Sequence, residues 1–239
     1  TGVIPFYKMF QAATRSCSQG GVRNGAATLY YPVWHYEVED LLVLKNNKGT
    51  EDNRVRHMDY GVQFNKLMYE RLMTGGNITL FSPHDVPGLY DAFFADQDEF
   101  KRLYETAERN TRLRKKTINA QELFSAFMQE RKDTGRIYLQ NVDHANSHSS
   151  FKTDVAPIKQ SNLCCEIDLP TKPLNDVNDP NGEIALCTLS AINWGVFKSP
   201  EDMEKACTLA VRGLDALLTY QNYPIIAAQM ATENRRPLG

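Results

Sequence analysis

The stretch His57-Met58-Asp59-Tyr60-Gly61-Val62-Gln63-Phe64-Asn65-Lys66-Leu67-Met68-Tyr69-Glu70-Arg71-Leu72-Met73-Thr74-Gly75-Gly76-Asn77-Ile78-Thr79-Leu80-Phe81 sets the reading of the fold. His57 to Phe64 reads as a strand, Lys66 to Met73 as a short helix, and Ile78 to Phe81 as a further strand closed by Ser82-Pro83. The pattern continues on both sides. Ala26 to Val33 reads as a buried strand. A helix follows through Val38, Leu41, Leu42 and Leu44, stopped by Asn46-Asn47-Lys48-Gly49. Asp98 to Arg131 holds two charged helical patterns separated near Asn110 to Lys116, a wetted outer surface. Arg136 to Val142, Asn162 to Leu169 and Glu183 to Leu189 read as strands, the last two joined across the turn signal Asn178-Asp179-Pro180-Asn181-Gly182. Glu201 to Tyr220 is a long amphipathic helix with Ala206, Leu209, Leu214 and Leu217 available to pack. Strands spaced by helices predict an α/β architecture with a largely parallel sheet. Periodicity leaves open whether that sheet is open or closed, and whether it is one sheet.

The chain has 239 residues, enough for one large domain with its own core, and 42% of them are hydrophobic. Twenty-seven Lys and Arg against 29 Asp and Glu give a net charge of -2, which excludes a polybasic field for nucleic acid or an anionic membrane, so no direct DNA binding is expected. No apolar run approaches the roughly 18 residues that cross a bilayer, and the N-terminus lacks a secretory pattern. A soluble, cytoplasmic protein with no membrane partner is therefore expected. The start at Thr1-Gly2, and an end at Arg235-Arg236-Pro237-Leu238-Gly239 straight after a helical pattern, lead us to expect an internal fragment spanning 1–239. The five cysteines form no C-x-x-C motif, and their odd number argues against an all-disulfide design.

The sharpest local feature is Asn162-Leu163-Cys164-Cys165-Glu166. In an extended segment Asn162, Cys164 and Glu166 share one face, which sets an amide, a thiol and a carboxylate in one strip. A carboxylate accepts a hydroxyl proton, an amide orients that hydroxyl, and a thiol serves as nucleophile, redox centre or hydrogen-atom donor. The plainer reading is a partly buried strand with incidental polar residues. Cys187 could return near this strip or fill core space, and Cys207 reads as buried bulk in the long helix. His144 and His148 are four apart, yet their surroundings do not suggest a helix and no spacing matches a zinc signature, so no metal is expected in this chain. Cys17-Ser18-Gln19-Gly20-Gly21-Val22-Arg23 offers Gln19 and backbone groups to a base and Arg23 to a phosphate. It lacks the P-loop and dinucleotide fingerprints, and alone it reads as a flexible turn with an arginine. The helix Ile4 to Ser16 carries Phe6, Met9, Phe10 and Ala13 on what should be one covered face.

Four stretches then carry a resemblance. Ser16-Cys17-Ser18-Gln19-Gly20-Gly21-Val22-Arg23, Asn53-Arg54-Val55-Arg56-His57-Met58-Asp59-Tyr60, Phe81-Ser82-Pro83-His84-Asp85-Val86-Pro87-Gly88-Leu89-Tyr90 and Ser161-Asn162-Leu163-Cys164, continued by Leu169 through Ser190, resemble the large subunit of class I ribonucleotide reductase, in its bacterial, diphosphate-using form. The resemblance covers essentially the whole chain. It implies part of a ten-stranded α/β barrel of two half-barrels, with a catalytic finger loop over residues 161–170. It also implies that Cys164 becomes the thiyl radical that removes the substrate's 3'-hydrogen, that Glu166 takes the 3'-hydroxyl proton and that Asn162 holds this hydroxyl. Cys187 resembles one member of the redox pair, whose other cysteine would precede Thr1. Residues 17–23, with Cys17, Ser18, Gln19, Gly20, Gly21 and Arg23, resemble a specificity-relay loop, and helix Ile4 to Ser16 part of a dimer contact.

The resemblance further implies ribonucleoside diphosphates as substrates, and ATP and dNTP effectors in the complete subunit. It implies a small radical-generating subunit with a metal-radical cofactor, a second large subunit, thioredoxin or glutaredoxin, and the remaining segments of the same subunit as partners. Cys165 stands where relatives carry another residue type; its opposite-face direction suggests spacing or packing, and an adjacent thiol could also divert oxidation. A catalytically inactive nucleotide-binding scaffold or split subunit is the alternative, which would bind effector or subunit without radical chemistry. A generic thiol oxidoreductase and a zinc-binding structural protein are weaker rivals.

Overall fold

A computed structural model describes residues 2–239; Thr1, the first residue of the expected 1–239 fragment, lies outside the described residues. The chain divides into two compact units, one ending at Asp168 and one spanning Leu169–Gly239.

In the first unit the strands β3 (Thr28–Pro32), β4 (Asp59–Phe64) and β7 (Ile137–Asn141) form a parallel sheet in the order β3-β4-β7. The register sets Tyr30 beside Gly61 and Gly61 beside Tyr138, and Gln63 beside Gln140. Because side chains alternate along each strand, this register separates two faces. One carries Tyr31, Tyr60, Val62, Phe64 and Ile137, all within the buried core. The other carries Thr28, Tyr30, Gly61, Gln63, Tyr138 and Gln140 and is polar.

The crossovers are helical and cover the apolar face. Helix α3 (Lys66–Met73) starts where the Asn65 side chain accepts the Met68 N–H. Helix α5 (Gln97–Arg109) starts at Asp96, which accepts the N–H groups of Asp98 and Glu99, and α6 (Ala120–Thr134) starts at Asn119 in the same way. Phe64 packs against Phe124 and Phe127 of α6, and Trp34 meets Phe93 and Phe100 edge-on or tilted. Shorter helices α2 (Val38–Leu42), α4 (Leu89–Ala95) and α7 (Val142–Ser147) complete the layer.

Five sequence expectations are corrected here. The strand at Ile78 to Phe81 forms as β5 (Asn77–Phe81), but it pairs antiparallel with β6 (Lys115–Asn119), in a two-stranded sheet of its own. β6 begins in the break read near Asn110 to Lys116 and runs into what was read as the second helical pattern, since Lys115-Lys116-Thr117 shows no apolar alternation. Helix α1 (Ile4–Ser16) forms as expected, yet Phe6, Met9 and Phe10 are exposed, and Val3, Ile4 and Tyr7 are the residues that meet the core. His144 sits in α7 after all. Asn162 to Leu169 is not a strand: the chain turns back at 163–165, and its one sheet-like pairing among the described residues is a Ser161–Asp168 antiparallel bridge.

In the second unit α8 (Pro200–Tyr220) begins at Ser199, whose side chain accepts the Asp202 N–H, and packs its Leu214 and Leu218 in a small core with Ala227, Ala228 and Ala231 of α9 (Ile226–Arg235). Glu183 to Leu189 is also not a strand. Glu183 pairs with Lys172 and Thr188 with Leu238 as isolated bridges, and the segment is pinned by side chains: buried Glu183 accepts two hydrogen bonds from Arg235, at 2.7 and 3.1 Å. Arg235 and Lys172 hold the Glu183 carboxyl below its usual pKa against the opposing effect of burial.

Candidate active site

The segment 161–168 is a tight loop closed on itself. The Asn162 N–H donates to the Ile167 carbonyl at 3.1 Å, and Cys165 N–H to the Asn162 carbonyl at 3.3 Å. The Asn162 side-chain oxygen accepts from the N–H groups of both Glu166 and Ile167, at 3.0 and 3.1 Å. Cys165 takes a left-handed backbone at φ 64°, which reverses the chain at the tip. This local hydrogen bonding, which Asn readily supplies, competes successfully with a sheet ladder.

The polar face of the parallel sheet holds the loop at its tip and at its base. From β3, Thr28 Oγ1 donates to the Leu163 carbonyl at 2.5 Å and the Tyr30 hydroxyl to the Asn162 carbonyl at 2.8 Å. From β4, Gln63 Nε2 donates to the Lys159 carbonyl at 2.6 Å and to Gln140 Oε1 at 2.9 Å. From β7, Gln140 Nε2 donates to Asp168 at 3.2 Å. Gln63 and Gln140 are buried, and these bonds satisfy Gln63 Nε2 and both polar atoms of the Gln140 amide, which water cannot reach, while Gln63 Oε1 is left without a partner among the described residues. Burial raises the pKa of the Asp168 carboxyl and of the Cys165 thiol, and pushes the Tyr30 hydroxyl well up, with the neighbouring Cys165 adding to that rise.

The loop sorts its side chains by exposure. Cys164 and Glu166 are exposed, whereas Cys165 is half-buried beside Tyr30 and Ser161. The alternation expected of a strand is thus kept in outcome, but a turn produces it. Asn162 differs from its expected place in the strip: its side-chain oxygen is engaged inside the loop.

Residues 17–23 build a small hairpin. β1 (Ser18–Gln19) pairs antiparallel with β2 (Arg23–Asn24), and the Val22 N–H closes the turn on the Gln19 carbonyl at 3.2 Å. Gly20 and Gly21 both take positive φ, 59° and 73°, which few other residues adopt. Ser18, Gln19 and Arg23 are exposed, and Cys17 anchors the base by accepting the Gly25 N–H at 2.8 Å directly after α1. Cys187, in the second unit, is a half-buried thiol. Among the described residues no group of three or more His, Cys, Asp or Glu could hold a metal ion, and no helix is long and apolar enough to cross a membrane.

The family model described as the ribonucleotide reductase barrel domain matches residues 1–239. The chain belongs to the ribonucleotide reductase family. It is 70% identical over 239 residues to ribonucleoside-diphosphate reductase 1 subunit alpha of Salmonella typhimurium and 68% identical to that of Escherichia coli, in each case over 100% of this chain and 31% of the relative. The ribonucleoside-diphosphate reductase subunit alpha of Haemophilus influenzae is 66% identical over the same 239 residues, which make up 32% of its length. The chain thus spans about a third of the length of these relatives.

Within this ribonucleotide reductase chain, sequence reasoning missed the residues beneath the loop. Thr28, Tyr30, Gln63 and Gln140 did leave a signal: each is a polar group at an alternate position of a strand whose other face is core. A glutamine at 63, between Val62 and Phe64 of β4, needs buried partners, and the segment that leads into the loop supplies one of them, the Lys159 carbonyl.

Proposed function

We propose that the chain is the central part of a ribonucleoside-diphosphate reductase alpha subunit, and that in the complete subunit it reduces ribonucleoside diphosphates to 2'-deoxyribonucleoside diphosphates. The parallel strands β3, β4 and β7 would be part of a ten-stranded α/β barrel, and residues 161–170 its central finger loop. The observation that carries the reading is the exposed Cys164 and Glu166 at the tip of a loop whose backbone is fixed from beneath.

In this reading a small partner subunit with a metal-radical cofactor supplies the oxidising equivalent that takes the hydrogen atom from the Cys164 thiol. The Cys164 sulfur then removes the 3'-hydrogen of the ribose, while Glu166 accepts the 3'-hydroxyl proton and Asn162 orients that hydroxyl. The 2'-hydroxyl leaves as water after taking a proton from the reducing thiols. Cys187 and a second cysteine outside this chain give two electrons and the hydrogen that replaces the hydroxyl at C2' and close a disulfide, after which Glu166 returns its proton to the 3'-oxygen and Cys164 its hydrogen to C3', regenerating the thiyl radical. Thioredoxin or glutaredoxin reopens the disulfide, and the cytoplasm is the compartment that suits this thiol chemistry. The hairpin of Cys17, Ser18, Gln19, Gly20, Gly21 and Arg23 would relay the identity of an ATP or dNTP effector to the substrate base, with Gln19 and Arg23 making the contacts. The exposed Phe6, Met9 and Phe10 of α1 would meet a second alpha subunit. Effector and substrate are coupled only so far as each favours a different hairpin conformation.

The test combines the complete alpha subunit with the radical-generating subunit, a ribonucleoside diphosphate and a dithiol reductant. Deoxy product is expected with the unaltered subunit, and near-complete loss of turnover with Glu166→Gln and with Cys187→Ser, the fold being retained. Effector binding without any deoxy product from the unaltered subunit would instead establish the inactive nucleotide-binding scaffold.

A further inference from the structure

Two side chains of β3 reach the two peptide groups that precede Cys164. The Thr28 hydroxyl binds the carbonyl of Leu163, whose peptide carries the Cys164 nitrogen, and the Tyr30 hydroxyl binds the carbonyl of Asn162 one peptide earlier. A peptide group is planar, so holding its oxygen fixes the plane and the direction in which the next Cα leaves it. Tyr30 is itself held. It is 8% exposed, its strand is paired along its length with β4, and its ring lies over Gly61, where an added Cβ would stand 2.3 Å from ring atoms. Burial keeps the Tyr30 hydroxyl protonated and therefore a donor at any pH near neutrality.

We propose that Tyr30, assisted by Thr28, is a positioning residue for the Cys164 thiol: through the two carbonyls it sets where the sulfur stands relative to the hydrogen it removes. This rests on the radical role of Cys164 proposed above and adds to it a residue that reaches Cys164 through the backbone of the loop, while its hydroxyl also faces the thiol of the neighbouring Cys165. Transfer between two heavy atoms requires approach to roughly 3–3.5 Å, and a displacement of about 1 Å is felt in rate rather than in binding. The loop has few other supports at its tip. Its internal bonds close it on itself, and Gln63 and Gln140 hold only its ends, at Lys159 and Asp168.

The test uses the complete alpha subunit with its radical-generating partner and a ribonucleoside diphosphate, and compares Tyr30→Phe, Thr28→Val, Thr28→Ser and Cys164→Ser. Tyr30→Phe and Thr28→Val are expected to lower kcat about three- to tenfold, the worth of one neutral hydrogen bond, with KM changed less than about twofold. Thr28→Ser, which keeps the hydroxyl, is expected to hold kcat near the unaltered value, and amide exchange at Cys164 and Cys165 should rise in Thr28→Val but not in Thr28→Ser. An unchanged kcat in Tyr30→Phe overturns the inference, as does a rise in KM alone. If Tyr30→Phe does not fold, the Thr28 pair decides: equal kcat and equal exchange in Val and Ser overturn it. Turnover in Cys164→Ser would defeat the radical role itself. A dead Cys164→Ser beside a fully active Tyr30→Phe would defeat only the positioning role.

Discussion

A side-chain carbon at Gly61 would stand 2.3 Å from two atoms of the Tyr30 ring, so the ring fills the space this glycine leaves open. Gly61→Ala must therefore displace either the ring or strand β4. We expect a loss of about 1–3 kcal/mol in urea unfolding, the usual cost of forcing an extra carbon into a packed site. In a Tyr30→Ala background most of that loss should vanish, because the obstacle is gone. A penalty of equal size in both backgrounds would show that something other than the ring meets the added methyl.

The Gln63–Gln140 pair predicts where the loop loosens. Gln140→Leu removes the donor to Asp168 and the acceptor of Gln63 in a buried setting, at a cost of about 1–3 kcal/mol. Amide exchange at Asn162 and Ile167 should accelerate while the β3–β4 ladder stays protected. Unchanged exchange at both amides would detach the pair from the loop.

Asn162 is assigned two tasks that can be separated. Its oxygen closes the loop on Glu166 and Ile167, whereas the proposed chemistry needs its amide nitrogen to hold a hydroxyl. Asn162→Asp keeps an acceptor, so exchange at those two amides should stay slow in the variant while turnover by the complete subunit falls. Asn162→Ala should lose both. Full turnover in Asn162→Asp would remove the amide from the chemistry.

How much of this was legible in the sequence depends on the kind of interaction. Strands β3, β4 and β7 and helix α3 were legible because one apolar face dominates each, and periodicity reports such faces; α8 forms where it was read, but it buries Leu214 and Leu218 and leaves the expected packing residues Leu209 and Leu217 exposed. β6 was not, since it opens with Lys115-Lys116-Thr117 and offers only Ile118 to the core. The 161–168 loop was misread as extended because alternation of polar and apolar residues is common to a strand and to this turn. What separates them is the side chain of Asn162 binding two backbone groups, which no pattern of hydrophobicity encodes. Glu183 to Leu189 failed for a related reason, being held by Arg235, 52 residues away, rather than by a neighbouring strand. The candidate residues Cys164, Glu166 and Asn162 stood out in the sequence, but their supports Thr28, Tyr30, Gln63 and Gln140 are distant in the chain and emerge only from the fold.

His35 predicts an acid limb to stability. Burial lowers its pKa from 6.5 to about 4, and its Nδ1 accepts the Glu37 N–H at 3.1 Å. The folded state thus prefers the neutral ring. Above pH 6.5 the contribution is complete; as pH falls from 6.5 towards 4 the unfolded chain takes up the proton first and stability drops, by on the order of 2 kcal/mol. Chemical denaturation at pH 7 and pH 4 should show a steeper fall for the unaltered chain than for His35→Gln. Parallel slopes would contradict the assignment.

Cys165 and Cys164 should differ in reactivity although adjacent. Burial raises the Cys165 pKa, which keeps its thiol protonated to higher pH, and thiolate is the reactive form. Alkylation followed by peptide mass spectrometry between pH 7 and 9 is expected to label exposed Cys164 first, and Tyr30→Ala should bring Cys165 forward. Faster labelling of Cys165 in the unaltered chain would place it, not Cys164, at the open side of the loop.

The most direct measurement of the central claim is turnover of a ribonucleoside diphosphate by the complete alpha subunit carrying Cys164→Ser, with the radical-generating subunit and reductant in excess. The account predicts no deoxy product above background and a fold indistinguishable from the unaltered subunit by circular dichroism. Deoxy product at the unaltered rate would contradict it.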